Sequence, residues 1–240
     1  MKKNLNIVII GCSRGIGFQV TKQLTQQGHN LFCISRNKDA LENLEKECRE
    51  SYPEASIITY STDISLICDN KIDLYGTIGN VFPHVDILLY NAGFLINKSF
   101  DDFQIDEAME IFKINFFSAS AVIKDLLPLM GVEKISHIVN IGSMGGFQGS
   151  AKFPGLSYYS ASKAALASLS ECLAEELKDR NIRVNCLALG ATQTEMLAEA
   201  FPGLRAPLSA GEMAEFISHF MIMGHRYFNG KIIPVSVSTP

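Results

Sequence analysis

Tyr159 and Lys163 stand four residues apart in a stretch with helical patterning, so their side chains emerge on one face. A phenol beside an ammonium suits proton transfer: tyrosine titrates near ~10 unperturbed, and a neighbouring positive charge favours the phenolate. Ser143 follows the apolar run 135–141 and would come beside them, and Asn115 lies inside the preceding helical stretch. Each is ordinary alone, since tyrosines cap cores and surface lysines are common. Their combination points to acid–base chemistry.

A second group lies near the N-terminus. Gly11-Cys12-Ser13-Arg14-Gly15-Ile16-Gly17 joins the first apolar run to the first helical stretch. A turn that lets a pyrophosphate approach needs glycine where the backbone bends and where a side chain would block the anion. The free N–H groups of the next helix then face that anion. Two rival readings exist. Gly11-Cys12-Ser13-Arg14-Gly15 matches GxSxG, the nucleophile elbow of hydrolases, but this leaves Gly17 unexplained. The other is a tight turn with no ligand.

The elements that must position these groups alternate along the whole chain. Strands are expected at 5–10, 30–35, 56–61, 85–90, 134–141, 182–187 and 231–237. Most are continuous apolar strings, as in strands covered on both faces. Helices are expected at 16–27, 40–51, 67–81, 105–129, 158–178 and 210–221, the third diluted by Gly76 and Gly79. Strand and helix alternating at short intervals imply an α/β fold of Rossmann type: a doubly wound parallel sheet of about seven strands with helices on both faces. No linker or repeat splits the chain, so residues 1–240 are expected to form one dinucleotide-binding catalytic domain. The irregular stretches 142–157 and 190–209 follow strands, at the carboxyl edge where such sheets bind ligands.

Composition removes other classes. With 47% hydrophobic residues, 19% charged residues and a net charge of −4, the 240-residue chain suits a large core. It offers no basic field for nucleic acid; the only early basic pair is Lys2-Lys3. No apolar stretch is long enough for a membrane span or a signal peptide, so a cytoplasmic location is expected. Cys12, Cys33, Cys48, Cys68, Cys172 and Cys186 form no CxxC pair and read as buried thiols. The five histidines lack metal-ligand spacing, so no metal is expected.

Taken together these motifs resemble the short-chain dehydrogenase/reductase family from Asn6 to about Val235. Gly11, Gly15 and Gly17 match its cofactor motif, and Asn91-Ala92-Gly93 its turn after the fourth strand. Asn115, Ser143, Tyr159 and Lys163 match its catalytic tetrad. The resemblance implies that Ser13, Arg14, Ile16 and Arg36 also border the dinucleotide and that Asp63 holds its adenine. It places Gly190, Thr192 and Thr194 at the carboxamide end. The implied reaction moves hydride between a nicotinamide and a carbonyl or secondary alcohol. Tyr159 would be the general acid/base, Ser143 would hold the oxygen, and Lys163 would favour the phenolate and bond the ribose. Asn115 is expected to break its helix locally and hold a water linking Lys163 to solvent.

The chain also departs from the family pattern. Leu189-Gly190 replaces Pro-Gly, which would free φ and loosen the loop over the nicotinamide. Phe116-Phe117-Ser118 replaces a smaller residue, and the tail 234–240 is unusual. These changes support an alternative reading as a weakly active or inactive dinucleotide-binding regulatory or scaffold protein. Met144, Phe147, Phe153, Leu156, Met196, Leu197 and Phe201 would make an apolar pocket for a small-molecule carbonyl or alcohol, each equally able to anchor its own loop. Lys152 reads as a solvated lysine. Relatives pair through the helices bearing Asn115 and Tyr159, and Ala161, Ala164, Ala165, Ala167 and Ser168 would allow close approach, implying a homodimer or homotetramer.

The second strand ends Ser35-Arg36-Asn37, with no acid to accept from a ribose 2′-hydroxyl. Arg36 and Arg14 instead offer bidentate donors to a 2′-phosphate, which favours NADP(H) over NAD(H). The plainer reading pairs Arg36 with Asp39. If each arginine contributes ~1.5 kcal/mol, discrimination would be on the order of 100-fold.

Overall fold

The computed structural model describes residues 4–132 and 134–237. Lys2-Lys3 and the end of the unusual tail lie outside the described residues. The chain opens with β1 (Asn6–Ile10), α1 (Gly15–Gln26), β2 (Asn30–Ser35), α2 (Lys38–Ser51) and β3 (Ile57–Ser61). Next come α3 (Leu74–Gly79), β4 (Ile87–Tyr90), α4 (Ile105–Phe112), α5 (Ser118–Leu126), β5 (Ser136–Ser143) and α6 (Ser157–Glu176). It ends with β6 (Ile182–Leu189), β7 (Thr192–Gln193), α7 (Glu195–Ala200), β8 (Leu208–Ser209), α8 (Ala210–Met223) and β9 (Ile232–Val235).

Seven strands form one sheet in the order β3-β2-β1-β4-β5-β6-β9, with every pairing parallel. The order reverses between β1 and β4, so a crevice opens beyond their carboxyl ends. Both faces are covered, which is why β1 and β4 are buried at every position. Ile7 and Ile9 face a core with Leu24, Leu41 and Ile217 from α1, α2 and α8. Val8 and Ile10 face the opposite core, with Ile78, Val122 and Leu166 from α3, α5 and α6. Each such side chain contributes ~2 kcal/mol on burial, so the two cores are the foundation under the crevice.

Three expectations need correction. The helix expected at 67–81 is a 3₁₀ segment, Ile64–Asp69, followed by the six-residue α3. Asn70 is left-handed (φ 53), which ends the first piece, and the Asp73 carboxylate accepts the Gly76 N–H at 2.8 Å to start the second. The helix expected at 105–129 is interrupted by one π-helical segment, Lys113–Phe117, the local break expected at Asn115. Leu189 does not loosen its loop: β6 continues through it, paired with Ser143 on one side and Val235 on the other. Leucine keeps the backbone N–H that proline lacks, so the ladder can run further. The thiols also divide: Cys12, Cys33, Cys48 and Cys186 are buried, Cys68 is half-buried and Cys172 is exposed.

Candidate active site

The carboxyl ends of β1, β2, β4, β5 and β6 border one cavity of about 750 Å³. At one end the glycine turn leads from β1 into α1. Gly11 has φ +87, and a Cβ there would lie 2.6 Å from Ala92 N. A Cβ at Gly17 would lie 2.1 Å from Gly11 O, so both positions require glycine. Asn91 Nδ2 donates to Gly11 O at 2.6 Å and fixes the turn from beneath. Arg14 occupies the N-cap of α1 without a capping bond from its side chain, so an anion can take the first-turn N–H groups. These features fit a dinucleotide pyrophosphate.

Gly11, Ser13, Arg14, Gly15, Ile16, Arg36, Asp63, Asn91, Ala92 and Gly93 line this half of the cavity. Ser13 Oγ accepts from Ser35 Oγ at 2.8 Å and, among the described residues, no histidine lines the cavity, which leaves the hydrolase reading without a histidine base. Asp63 Oδ1 accepts the Ser65 N–H at 2.9 Å. Arg36 is exposed and, among the described residues, forms no ion pair, with Asp39 or any other acid. Arg14 differs: its guanidinium makes two contacts to Glu199 on α7, at 2.5 and 3.2 Å. That hydrogen bond raises the Arg14 pKa and lowers that of Glu199.

At the other end β5 delivers Ser143, and the first turns of α6 deliver Tyr159 and Lys163. Ser143 Oγ accepts the Gly145 N–H at 3.1 Å. Lys163 is buried; its Nζ donates to Ile141 O at 2.9 Å and lies 5.9 Å from the centre of the Tyr159 ring. Burial holds the Lys163 pKa down at about 8 and pushes that of the nearby Cys186 thiol up to about 12. Burial raises the Tyr159 pKa, and Ser143 opposes the shift. Lys163 Nζ is turned to Ile141 O in this structure.

Asn115 stands behind this group, fully buried. Its Oδ1 accepts the Phe94 N–H at 2.8 Å, and its Nδ2 donates to Phe94 O and Ser162 Oγ, both at 2.9 Å. Ser162 in turn donates to Tyr159 O at 2.7 Å. A Cβ on Gly93 would lie 3.5 Å from Lys163 Nζ and 3.6 Å from Asn115 Oδ1, so the three converge.

Gly190, Thr192 and Thr194 line the cavity beside α7. Thr194 caps that helix, accepting the Leu197 N–H at 3.2 Å. Of the seven expected pocket residues, Met144, Phe153, Leu156, Met196, Leu197 and Phe201 line the cavity; Phe147 does not, whereas Leu95 and Leu204 join it. Lys152 Nζ is turned onto its own loop, bonded to Phe147 O at 2.6 Å and Ser150 Oγ at 2.9 Å. Sequence reading missed Glu199, Asn97 and Tyr90. Asn97 Nδ2 donates to Ala200 O at 2.8 Å, a contact 103 residues apart with no local signal. Among the described residues no group of histidine, cysteine or acidic side chains could hold a metal, and no helix is long and apolar enough to cross a membrane.

Sheet order and glycine cradle define the class, an α/β protein of the dinucleotide-binding type. The family model "short chain dehydrogenase" matches residues 5–204, and the chain belongs to that oxidoreductase family. Among curated relatives, "Carbonyl reductase family member 4" of Danio rerio is 32% identical, covering 95% of this chain and 94% of its own. "Fatty acyl-CoA reductase" of Acinetobacter baylyi is 30% identical, covering 90% and 72%. "Dehydrogenase/reductase SDR family member 7B" of Mus musculus is 31% identical over 82% of this chain, and the match spans 61% of that relative. Levodione reductase has the same fold (TM-score 0.86, 23% identity, 97% and 96% covered). So does a short chain dehydrogenase from Escherichia coli CFT073 complexed with NADPH (TM-score 0.85, 24% identity, 96% of both chains).

Proposed function

We propose that this chain is an NADP(H)-dependent carbonyl reductase that works on neutral, largely apolar ketones or aldehydes and, in reverse, on the secondary or primary alcohols. The observation that carries the reading is one cavity with a glycine-cradled anion site at one end and Ser143, Tyr159 and Lys163 together at the other. The bound nicotinamide supplies or accepts the hydride. Gly11, Ser13, Gly15, Ile16 and Gly17 hold the pyrophosphate side, Asp63 and Ala92 the adenosine side, and Gly190, Thr192 and Thr194 the nicotinamide side. During reduction Tyr159 gives its hydroxyl proton to the carbonyl oxygen as negative charge builds there, and Ser143 donates a hydrogen bond to that oxygen. Lys163 exchanges its Ile141 contact for the ribose and then favours the phenolate left behind. Asn115 holds the water through which the proton is restored.

The lining of Leu95, Phe153, Leu156, Met196, Phe201 and Leu204 is apolar, and Lys152 is turned away. The relatives named as a carbonyl reductase and a fatty acyl-CoA reductase agree with such a substrate. For the cofactor, Arg36 is available to a 2′-phosphate, while Arg14 must first release Glu199. Arg36 alone then gives about tenfold preference for NADP(H), one charged hydrogen bond's worth. The chain is proposed to act in the cytoplasm as one catalytic domain per subunit of a homodimer or homotetramer. Ala161, Ala164 and Ser168 form an exposed strip on α6 that allows close approach.

The test is a screen of uncharged ketones and aldehydes against oxidation of NADPH and NADH, with Tyr159→Phe alongside. Turnover by the native enzyme that falls at least ~10²-fold in the variant is expected. Near-native turnover in Tyr159→Phe overturns the assignment. Cofactor binding with no turnover on any carbonyl would favour the scaffold reading instead.

A further inference from the structure

In an α-helix the Ser118 N–H would reach back to Ile114 O. Here it bonds Lys113 O, one residue further, and this shift defines the π-helical segment that carries Asn115. Ile114 O thereby loses its α-type partner. It accepts instead from the hydroxyl of Tyr90, at 2.7 Å. Tyr90 is the last residue of β4 and is fully buried. Ser118 Oγ gives the second tie, donating to Lys113 O at 2.7 Å. Two hydroxyls, Tyr90 from the sheet and Ser118 from the helix itself, make the π form the satisfied arrangement. A buried phenol without its acceptor, or a buried carbonyl without its donor, would each be costly.

We propose that Tyr90 is a positioning residue: its hydroxyl holds the π-helical segment open and thereby sets Asn115 against Gly93 and Lys163. The inference rests on the proposed role of Asn115 behind Lys163. Phenylalanine fills the same volume and removes only the donor. In Tyr90→Phe the α pattern, with Ser118 N–H returning to Ile114 O, becomes the arrangement that satisfies this carbonyl. Asn115 then turns relative to Phe94 and Ser162, and the path to Lys163 is disturbed although Lys163, Tyr159 and Ser143 are untouched.

The experiment compares native enzyme, Tyr90→Phe, Asn115→Ala and the double variant with NADPH and the best carbonyl from the screen. In Tyr90→Phe, kcat should fall about tenfold, the size of one buried hydrogen bond, with the NADPH dissociation constant within about twofold of native. The solvent isotope effect on kcat should rise, which a loss of packing alone would not cause. The double variant should be no slower than Asn115→Ala. A readout independent of turnover is amide hydrogen exchange in the cofactor-free protein, expected to quicken across residues 113–118 and not in α2. Unchanged exchange there, or native kcat with an unchanged isotope effect, overturns the inference. If Asn115→Ala is slow while Tyr90→Phe is native, only the role of Tyr90 falls. If Asn115→Ala is itself native, the role of Asn115 falls with it.

Discussion

The two ends of the cavity are built by opposite means. At the catalytic end Lys163 and Asn115 are buried, and each of their side-chain polar atoms is hydrogen-bonded to another element or loop. At the adenosine end Arg14 and Arg36 are exposed and Arg14 depends on one ion pair. Burial makes a charge consequential, since desolvation alone brings Lys163 down to about 8. Exposure makes it replaceable, because water and salt screen each contact. On the proposed roles, chemistry sits where substitution is expensive and cofactor choice where it is cheap.

The sharpest way to break this contrast is Lys163→Met. kcat should drop by on the order of 10²-fold or more, measured under saturating NADPH. The same variant should unfold at a higher temperature near neutral pH, because a buried ammonium is removed. The sign follows from the lowered pKa: between about 8 and 10.5 the unfolded chain binds the Lys163 proton and the folded chain does not. This group's destabilisation is thus fully present below about 8 and relieved as pH rises towards 10.5, on the order of 2–3 kcal/mol. Denaturant titrations from pH 7 to 10 should show that rise in the native protein and not in Lys163→Met. A variant less stable than native at pH 7 would contradict the account.

Next in size is Arg36→Ala, expected to weaken NADPH about tenfold and NADH less than twofold in equilibrium binding. Equal weakening of both cofactors would mean that Arg36 does not meet the 2′-phosphate. Smallest is Glu199→Gln, which frees Arg14. NADPH should bind about threefold more tightly, as suits a pair screened by solvent. A larger gain would mean that the adenosine end is less screened than its exposure implies.

The parallel sheet was legible because its strands are unbroken apolar strings, a pattern that covering both faces demands. The Tyr159/Lys163 pair and the glycine turn could be read because their spacings are local, four residues for the pair and six for Gly11 and Gly17, whereas Asn115 and Ser143 could be named only through the family resemblance. What escaped depends on distance. Asn70 and Asp73 divide a stretch whose apolar pattern alone suggests one helix. α7 carries a helix start in Thr194-Glu195, yet its six residues are too few for periodicity to register. Arg14 reads as free for a phosphate until the fold brings in Glu199, 185 residues away. Tyr90 looks like one more apolar strand residue, since its single donor finds an acceptor only in the folded chain.

The two anchors of α7 are different in kind. On the cofactor side it is held by the Arg14–Glu199 ion pair, and on the substrate side by the neutral amide of Asn97 on Ala200 O. Raising ionic strength weakens the first and leaves the second nearly unchanged. Because Glu199 and Ala200 are neighbours, both contacts hold the same end of the short helix, so salt slackens one of its two ties while the other keeps that end in place.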